Sequence, residues 1–224
     1  SEVDYVNLSE WHFGKFLINN SNYCVNGDID TIILVHSSID HFDFRSAIRN
    51  HFISLNNNSK LIFVLGNVND KVSRKRIWDE FKKHHDIVQG SFIDSYHNLT
   101  LKHILGLTWA AKFCPLAQLV LKVDDDIFVN YPLLEQYISQ RFPKPKVDKL
   151  LSRTSYKLIV CYVQHEMKVI RNKTSKWFVP YNEYPKRMFP DFCSGWAYLT
   201  TIEVINDLLN QIQFNLPIFW IDDV

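Results

Sequence analysis

Two hundred and twenty-four residues suffice for one large domain or two small ones. A composition of 46% hydrophobic and 22% charged residues, with six Gly and eight Pro, excludes disorder, collagen-like repeats and a coiled coil. The 25 Lys and Arg against 24 Asp and Glu leave a net charge of +1, which lacks the basic excess of a nucleic-acid binder, so no nucleic-acid partner is expected.

Thr31–His36 is an unbroken β-branched, apolar run and reads as a buried strand, as does 61–65, which ends at Gly66-Asn67. Between them, residues 44–52 carry apolar side chains at helical spacing, with Arg45 and Arg49 four apart on one face. A basic helix follows over 73–83, and the chain returns toward a strand at Ile87-Val88. In 98–113, Leu101, Ile104, Leu105 and Thr108 fall at i, i+3, i+4 and i+7, with Asn98 as the expected cap. Residues 119–123 form the next strand and run straight into Asp124-Asp125-Asp126. A helix is expected over 132–141, a loop at 143–146, a strand over 157–163 and a last helix over 201–211, while the aromatic, proline-spaced stretch 177–185 has no regular pattern. Strands alternating with helices predict an α/β domain with a mostly parallel central sheet.

Cys24, Cys114, Cys161 and Cys193 stand far apart, which excludes zinc spacing and leaves three disulfide pairings open. Five N-x-[ST] acceptors, at Asn7, Asn19, Asn57, Asn98 and Asn172, exceed the roughly two expected by chance and favour a secretory lumen. No apolar run approaches the ~18 residues of a membrane span. The chain opens at Ser1 without a leader and stops at Val224 on an apolar run, so a piece of a longer protein, cut at both ends, is expected.

The strongest local signal is Lys122-Val123-Asp124-Asp125-Asp126. Three adjacent carboxylates repel one another, yet they follow a buried strand, where open α/β sheets bind ligands. There they can hold a hard divalent cation, and the cation can neutralise a diphosphate; a solvated acidic turn is the ordinary alternative. Arg45 and Arg49 offer guanidinium forks suited to phosphate, or else a solvated helix face. Asp222-Asp223, delivered by an apolar segment, offers a general base or an ordinary helix cap. No P-loop, G-x-G-x-x-G or G-x-S-x-G occurs, and Phe128 breaks the D-x-D-x-[TV] phosphatase pattern.

In order, Arg45-Ser46-Ala47-Ile48-Arg49, Phe63-Val64-Leu65-Gly66, the block 86–102, Trp109, Lys122 to Asn130, Lys176-Trp177-Phe178-Val179, Glu183-Tyr184-Pro185, Cys193-Ser194-Gly195 and Asp222-Asp223-Val224 resemble the β-1,3-galactosyltransferase/β-1,3-N-acetylglucosaminyltransferase family, relatives of Fringe. The resemblance runs from about residue 15 to the end. It implies a GT-A type fold, one catalytic domain over 1–224, inverting transfer from a UDP-sugar to a glycan on glycoprotein or glycolipid, and Mn²⁺. It also implies a Golgi type II membrane protein, anchored upstream of Ser1. By the same resemblance, Asp124 and Asp126 hold the metal, with Asp126 the more direct ligand. Asp124, Asp125, Arg45 and Arg49 meet the sugar nucleotide, and Asp223 is the base with Asp222 beside it. A silent relative that only binds glycans or a partner is the alternative. One departure stands out: after Cys-Ser-Gly the family often has a Gly or Pro followed by Gly-Tyr, and here Trp196-Ala197-Tyr198 follows, a change expected to reshape the donor or acceptor pocket.

Overall fold

The computed structural model describes residues 15–25, 29–53, 59–141, 157–212 and 219–224. Its strands are β1 (Phe16–Ile18), β2 (Thr31–His36), β3 (Ser59–Asn67), β4 (Ile87–Ile93), β5 (Leu119–Asp124), β6 (Ile159–Gln164) and β7 (Phe192–Thr201). Its α-helices are α1 (Phe42–Ile53), α2 (Lys71–His84), α3 (Leu99–Phe113), α4 (Tyr131–Arg141) and α5 (Ile202–Ile212). One sheet has the order β1-β4-β3-β2-β5-β7-β6. Its central strands β4, β3, β2 and β5 are parallel, as expected, while β1, β7 and β6 extend it antiparallel at the two edges.

Both faces of the central strands are covered, which is why their sequences are apolar without alternation. Ile32, Leu34, Ile62 and Val64 point to one face and pack against α3 and α5. Ile33, Val35, Leu61 and Phe63 point to the other, against Ile48 and Phe52 of α1, Ile77 and Phe81 of α2, and Leu134 and Ile138 of α4. The result is three layers around one sheet.

The structure corrects the expected Asn98 cap and adds two features that the sequence did not show. Helix α3 is not one-sided: every residue from Leu101 to Ala110 is buried except His103, because the sheet covers one side and neighbouring elements the rest. Asn98 stands at its N-terminus but does not cap it; its Nδ2 donates back to the Ile93 carbonyl at 2.8 Å. Strand β7, invisible as a run of β-formers because Ser194 and Gly195 interrupt it, joins β5 to β6. The expected loop at 143–146 and the acceptors Asn7 and Asn57 lie outside the described residues.

The cysteines pair as Cys24–Cys114 and Cys161–Cys193, with Cα separations of 5.3 and 5.5 Å. The first ties the segment after β1 to the end of α3, and the second staples β6 to β7. No helix among the described residues is long and apolar enough to cross a membrane.

Candidate active site

The chain runs β2-α1-β3-α2-β4 to one side of β2, then returns through α3 to place β5 on its other side. The split between β2 and β5 is therefore the topological switch point, where loops diverge and open a crevice beyond the strand ends. His36 and Asp124 are register partners at that end. A cleft of about 680 Å³ opens above them, within the size range of small-ligand sites. Asp124, Asp125, Asp126, Asp222 and Asp223 all line it, so two sequence motifs about a hundred residues apart share one cavity.

The three carboxylates of the strand end do different things. Asp124 is half-buried, and its Oδ1 accepts from Lys122 Nζ at 2.7 Å. Burial raises its pKa, Lys122 opposes this, and the charges of Asp222 and Asp126 push it further up. Asp125 is turned sideways: its Oδ2 lies 2.8 Å from His41 Nδ1 and accepts from the Ser38 amide, so it anchors the β2–α1 loop. Asp126 is exposed. Among the described residues no three His, Cys, Asp or Glu side chains converge to cage a metal ion. Asp124 and Asp126 fit a cation that takes most of its remaining ligands from a diphosphate and water, the usual arrangement for Mg²⁺-like ions. The mutual repulsion around Asp124 is the charge imbalance such a cation would relieve.

Asp222 and Asp223 separate into two roles. The Asp222 side chain is only 10% exposed, with Oδ2 3.1 Å from His103 Nδ1 but no aligned donor on that oxygen. Burial alone would raise its pKa, yet His103 and Lys122 outweigh it and hold the carboxyl below the usual range. Asp223 goes the opposite way: burial and the charge of Asp222 push it up, against the Gly195 amide that donates to its Oδ2 at 2.8 Å. A Cβ at position 195 would sit 3.0 Å from that oxygen, so glycine permits the approach. Asp223 is thus a partly desolvated, oriented carboxylate of enhanced basicity facing the cleft, suited to accept a proton.

Arg45 and Arg49 do not reach the cleft, contrary to expectation. Arg45 is fully buried; its Nε and Nη2 grip Glu80 at 2.9 Å each, and Nη1 bonds Ser37 Oγ at 2.9 Å and the Ser38 carbonyl. Arg49 makes a bidentate pair with Asp86 at 2.7 and 2.8 Å and adds Glu80 at 2.7 Å. With their donors so engaged, they act one step removed: Arg45 fixes the Ser37-Ser38 wall of the cleft.

Three buried polar residues of the cleft floor were given no role by the sequence, although two of them lie in quoted motifs. Lys102 donates to the Ser37 carbonyl and to Asp94 Oδ1 at 2.7 and 2.8 Å. Lys122 bonds the Gly195 carbonyl as well as Asp124, joining β5 to β7 beneath the carboxylates. His36 is buried with both ring nitrogens unpartnered; burial, then Lys122, His103 and Lys102, hold its pKa well below 6.5 and keep it neutral. The signal for both lysines was a lone cation inside an otherwise apolar helix or strand, which burial permits only with a partner.

The galactosyltransferase family model matches residues 43–224. The chain is 34% identical over 221 residues to the lactosylceramide 1,3-N-acetyl-beta-D-glucosaminyltransferase A of Xenopus laevis, covering 94% of this chain and 56% of that protein. It is 34% identical over 217 residues to beta-1,3-galactosyltransferase 1 of Mus musculus, covering 95% and 63% respectively. The chain thus spans somewhat over half the length of the curated relatives it matches. With the match covering most of its residues and its α/β sheet consistent with the GT-A type, the chain belongs to the galactosyltransferase family.

Proposed function

We propose that residues 1–224 form one catalytic domain of an inverting glycosyltransferase, moving galactose or an N-acetylhexosamine from a UDP-sugar to a glycan in β-1,3 linkage. The observation that carries this is the meeting, in one cleft, of the strand-end carboxylates with Asp223 from a separate segment. Asp124 and Asp126 would hold Mn²⁺, which when bound supplies Lewis acidity toward the diphosphate leaving group. Asp125, through His41 and Ser38, keeps the nucleotide side of the cleft in shape. Asp223 takes the proton from the acceptor 3-hydroxyl as that oxygen bonds to the anomeric carbon. The bond from that carbon to the UDP oxygen breaks with its electron pair, and UDP departs from the opposite face. Asp222, held charged beside His103, keeps Asp223 basic. A relative named for lactosylceramide and another for β-1,3-galactosyl transfer support a glycan acceptor, carried on glycolipid or glycoprotein in this reading.

Calorimetric titration of UDP tests the donor side. Binding is expected only with Mn²⁺ present and is expected to weaken at least about tenfold in Asp126→Ala, since one carboxylate ligand is lost. Equal affinity with and without the cation contradicts it.

The lumenal Golgi setting rests on the two disulfides and the glycosylation acceptors. Asn172 is exposed and engages Thr174 only through its Oδ1, whereas Asn98 uses Nδ2, the glycan-bearing nitrogen, to hold Ile93. Glycopeptide mass spectrometry of protein from a eukaryotic host should find Asn98 the least and Asn172 the most occupied of Asn19, Asn98 and Asn172. Full occupancy at Asn98 would show that its bond to Ile93 is dispensable.

A further inference from the structure

Between Cys161↔Tyr198 and Val163↔Cys193, β6 spends one residue while β7 spends four. Residues 194–197 therefore bulge out of the β6 ladder, and the Cys161–Cys193 disulfide pins the base of the bulge. Bulges of this kind re-aim side chains beside functional sites. Here Ala197 keeps its register with Val123, so Trp196 lies level with Asp124, the last residue of β5. Its neighbour Gly195 is clamped on both sides, with the carbonyl on Lys122 and the amide on Asp223. Trp196 itself is 45% exposed and lines the cleft, and among the described residues its indole makes no ring-stacking contact or hydrogen bond. The other tryptophans at this end differ: Trp220 is buried with Nε1 on Glu183, and Trp177 stacks on Trp220 with its rings 17° from parallel.

Resting on the transferase reading above, we infer that Trp196 is the platform on which a pyranose ring of the acceptor glycan stacks, setting acceptor affinity and specificity. An indole presents a large, rigid apolar face at low entropic cost, and the C–H face of a hexopyranose is the complementary surface for it. The cleft wall carrying Trp196 is the wall that holds Asp223, so a sugar stacked there lies beside the base that needs its hydroxyl. The indole stands on the Asp223 side of the cleft, across from the Ser37-Ser38 wall, so of the two sugars the acceptor is the one that must come to this side. Residue 196 belongs to the segment that departs from the usual family pattern, which fits a role in choosing one acceptor over another.

The test uses the full-length protein and methyl β-D-galactopyranoside and methyl N-acetyl-β-D-glucosaminide as probes, with UDP and Mn²⁺ present. Saturation-transfer NMR should show at least one glycoside receiving magnetisation through its ring protons, lost in Trp196→Ala and restored in Trp196→Phe. In transfer assays, Trp196→Ala should raise the acceptor KM about tenfold or more, the scale of one apolar pocket contact, with kcat and donor KM within about threefold. A rise confined to the donor KM assigns the indole to the donor sugar and overturns the inference, as does unchanged saturation transfer in Trp196→Ala. UDP binding in the same samples separates the two readings. Intact, cation-dependent UDP binding with no Trp196 effect sinks only the platform, whereas absent UDP binding sinks the transferase reading itself.

Discussion

In the full-length protein, Asp223→Asn should reduce kcat by about 10²–10⁴-fold, the range typical of a lost general base, while UDP–Mn²⁺ affinity stays within about threefold. The amide keeps the shape and can still accept from Gly195, so the loss reports proton acceptance rather than a collapsed bulge. The pH profile carries the same signature. Because Asp223 is pushed above the ordinary 3.8, its base form disappears as pH falls through that raised value, and the acid limb of kcat/KM should lie above the usual carboxylate range. Asp222→Asn removes a charge that raises Asp223, so the limb should move to lower pH with activity retained in part. Near-normal transfer in Asp223→Asn with abolition in Asp222→Asn reverses the two roles.

Glu80→Ala should destabilise the fold by about 3–5 kcal/mol, the cost of stripping the partner from buried charge. Arg45, Arg49 and Glu80 have side-chain exposures of 0%, 8% and 9%, so water cannot replace the missing carboxylate. Burial alone would raise the Glu80 pKa, but Arg45 and Arg49 outweigh it and hold the carboxyl below 4.5. Its contribution is therefore present above the unfolded-state pKa near 4.5 and lost as pH falls through the lowered value. Urea unfolding of wild type and Glu80→Ala at pH 7 checks the magnitude; a difference below about 1 kcal/mol contradicts it. Arg45 also holds Ser37 and Ser38, so a surviving Glu80→Ala protein should bind UDP more weakly as well.

These two predictions mark where the sequence was legible and where it was not. Strands β2, β3 and β5 announced themselves because burial on both faces demands unbroken apolar runs. The carboxylate triplet was legible because charge repulsion at a strand end has no structural benefit. Arg45 and Arg49 were misplaced because four-residue spacing fixes a helix face but not what that face meets; Glu80 and Asp86 lie more than thirty residues away. That α3 is covered nearly all round was not legible, because spacing reports the apolar stripe and not whether the remaining face is also covered. Strand β7 escaped because its bulge breaks the period of two on which strand reading depends. The disulfide pairing was likewise a product of topology: β6 and β7 must be neighbours before Cys161 can meet Cys193.

The central claim is that the cleft joining Asp124–Asp126 to Asp223 transfers sugar from UDP with inversion. Full-length protein incubated with UDP-galactose or UDP-N-acetylglucosamine, Mn²⁺ and a lactose or N-acetylglucosamine acceptor should yield a product whose new anomeric proton carries the large coupling of a β linkage and whose glycosylated carbon is C3. An α-linked product, or release of UDP that is unchanged in Asp223→Asn, would contradict the account.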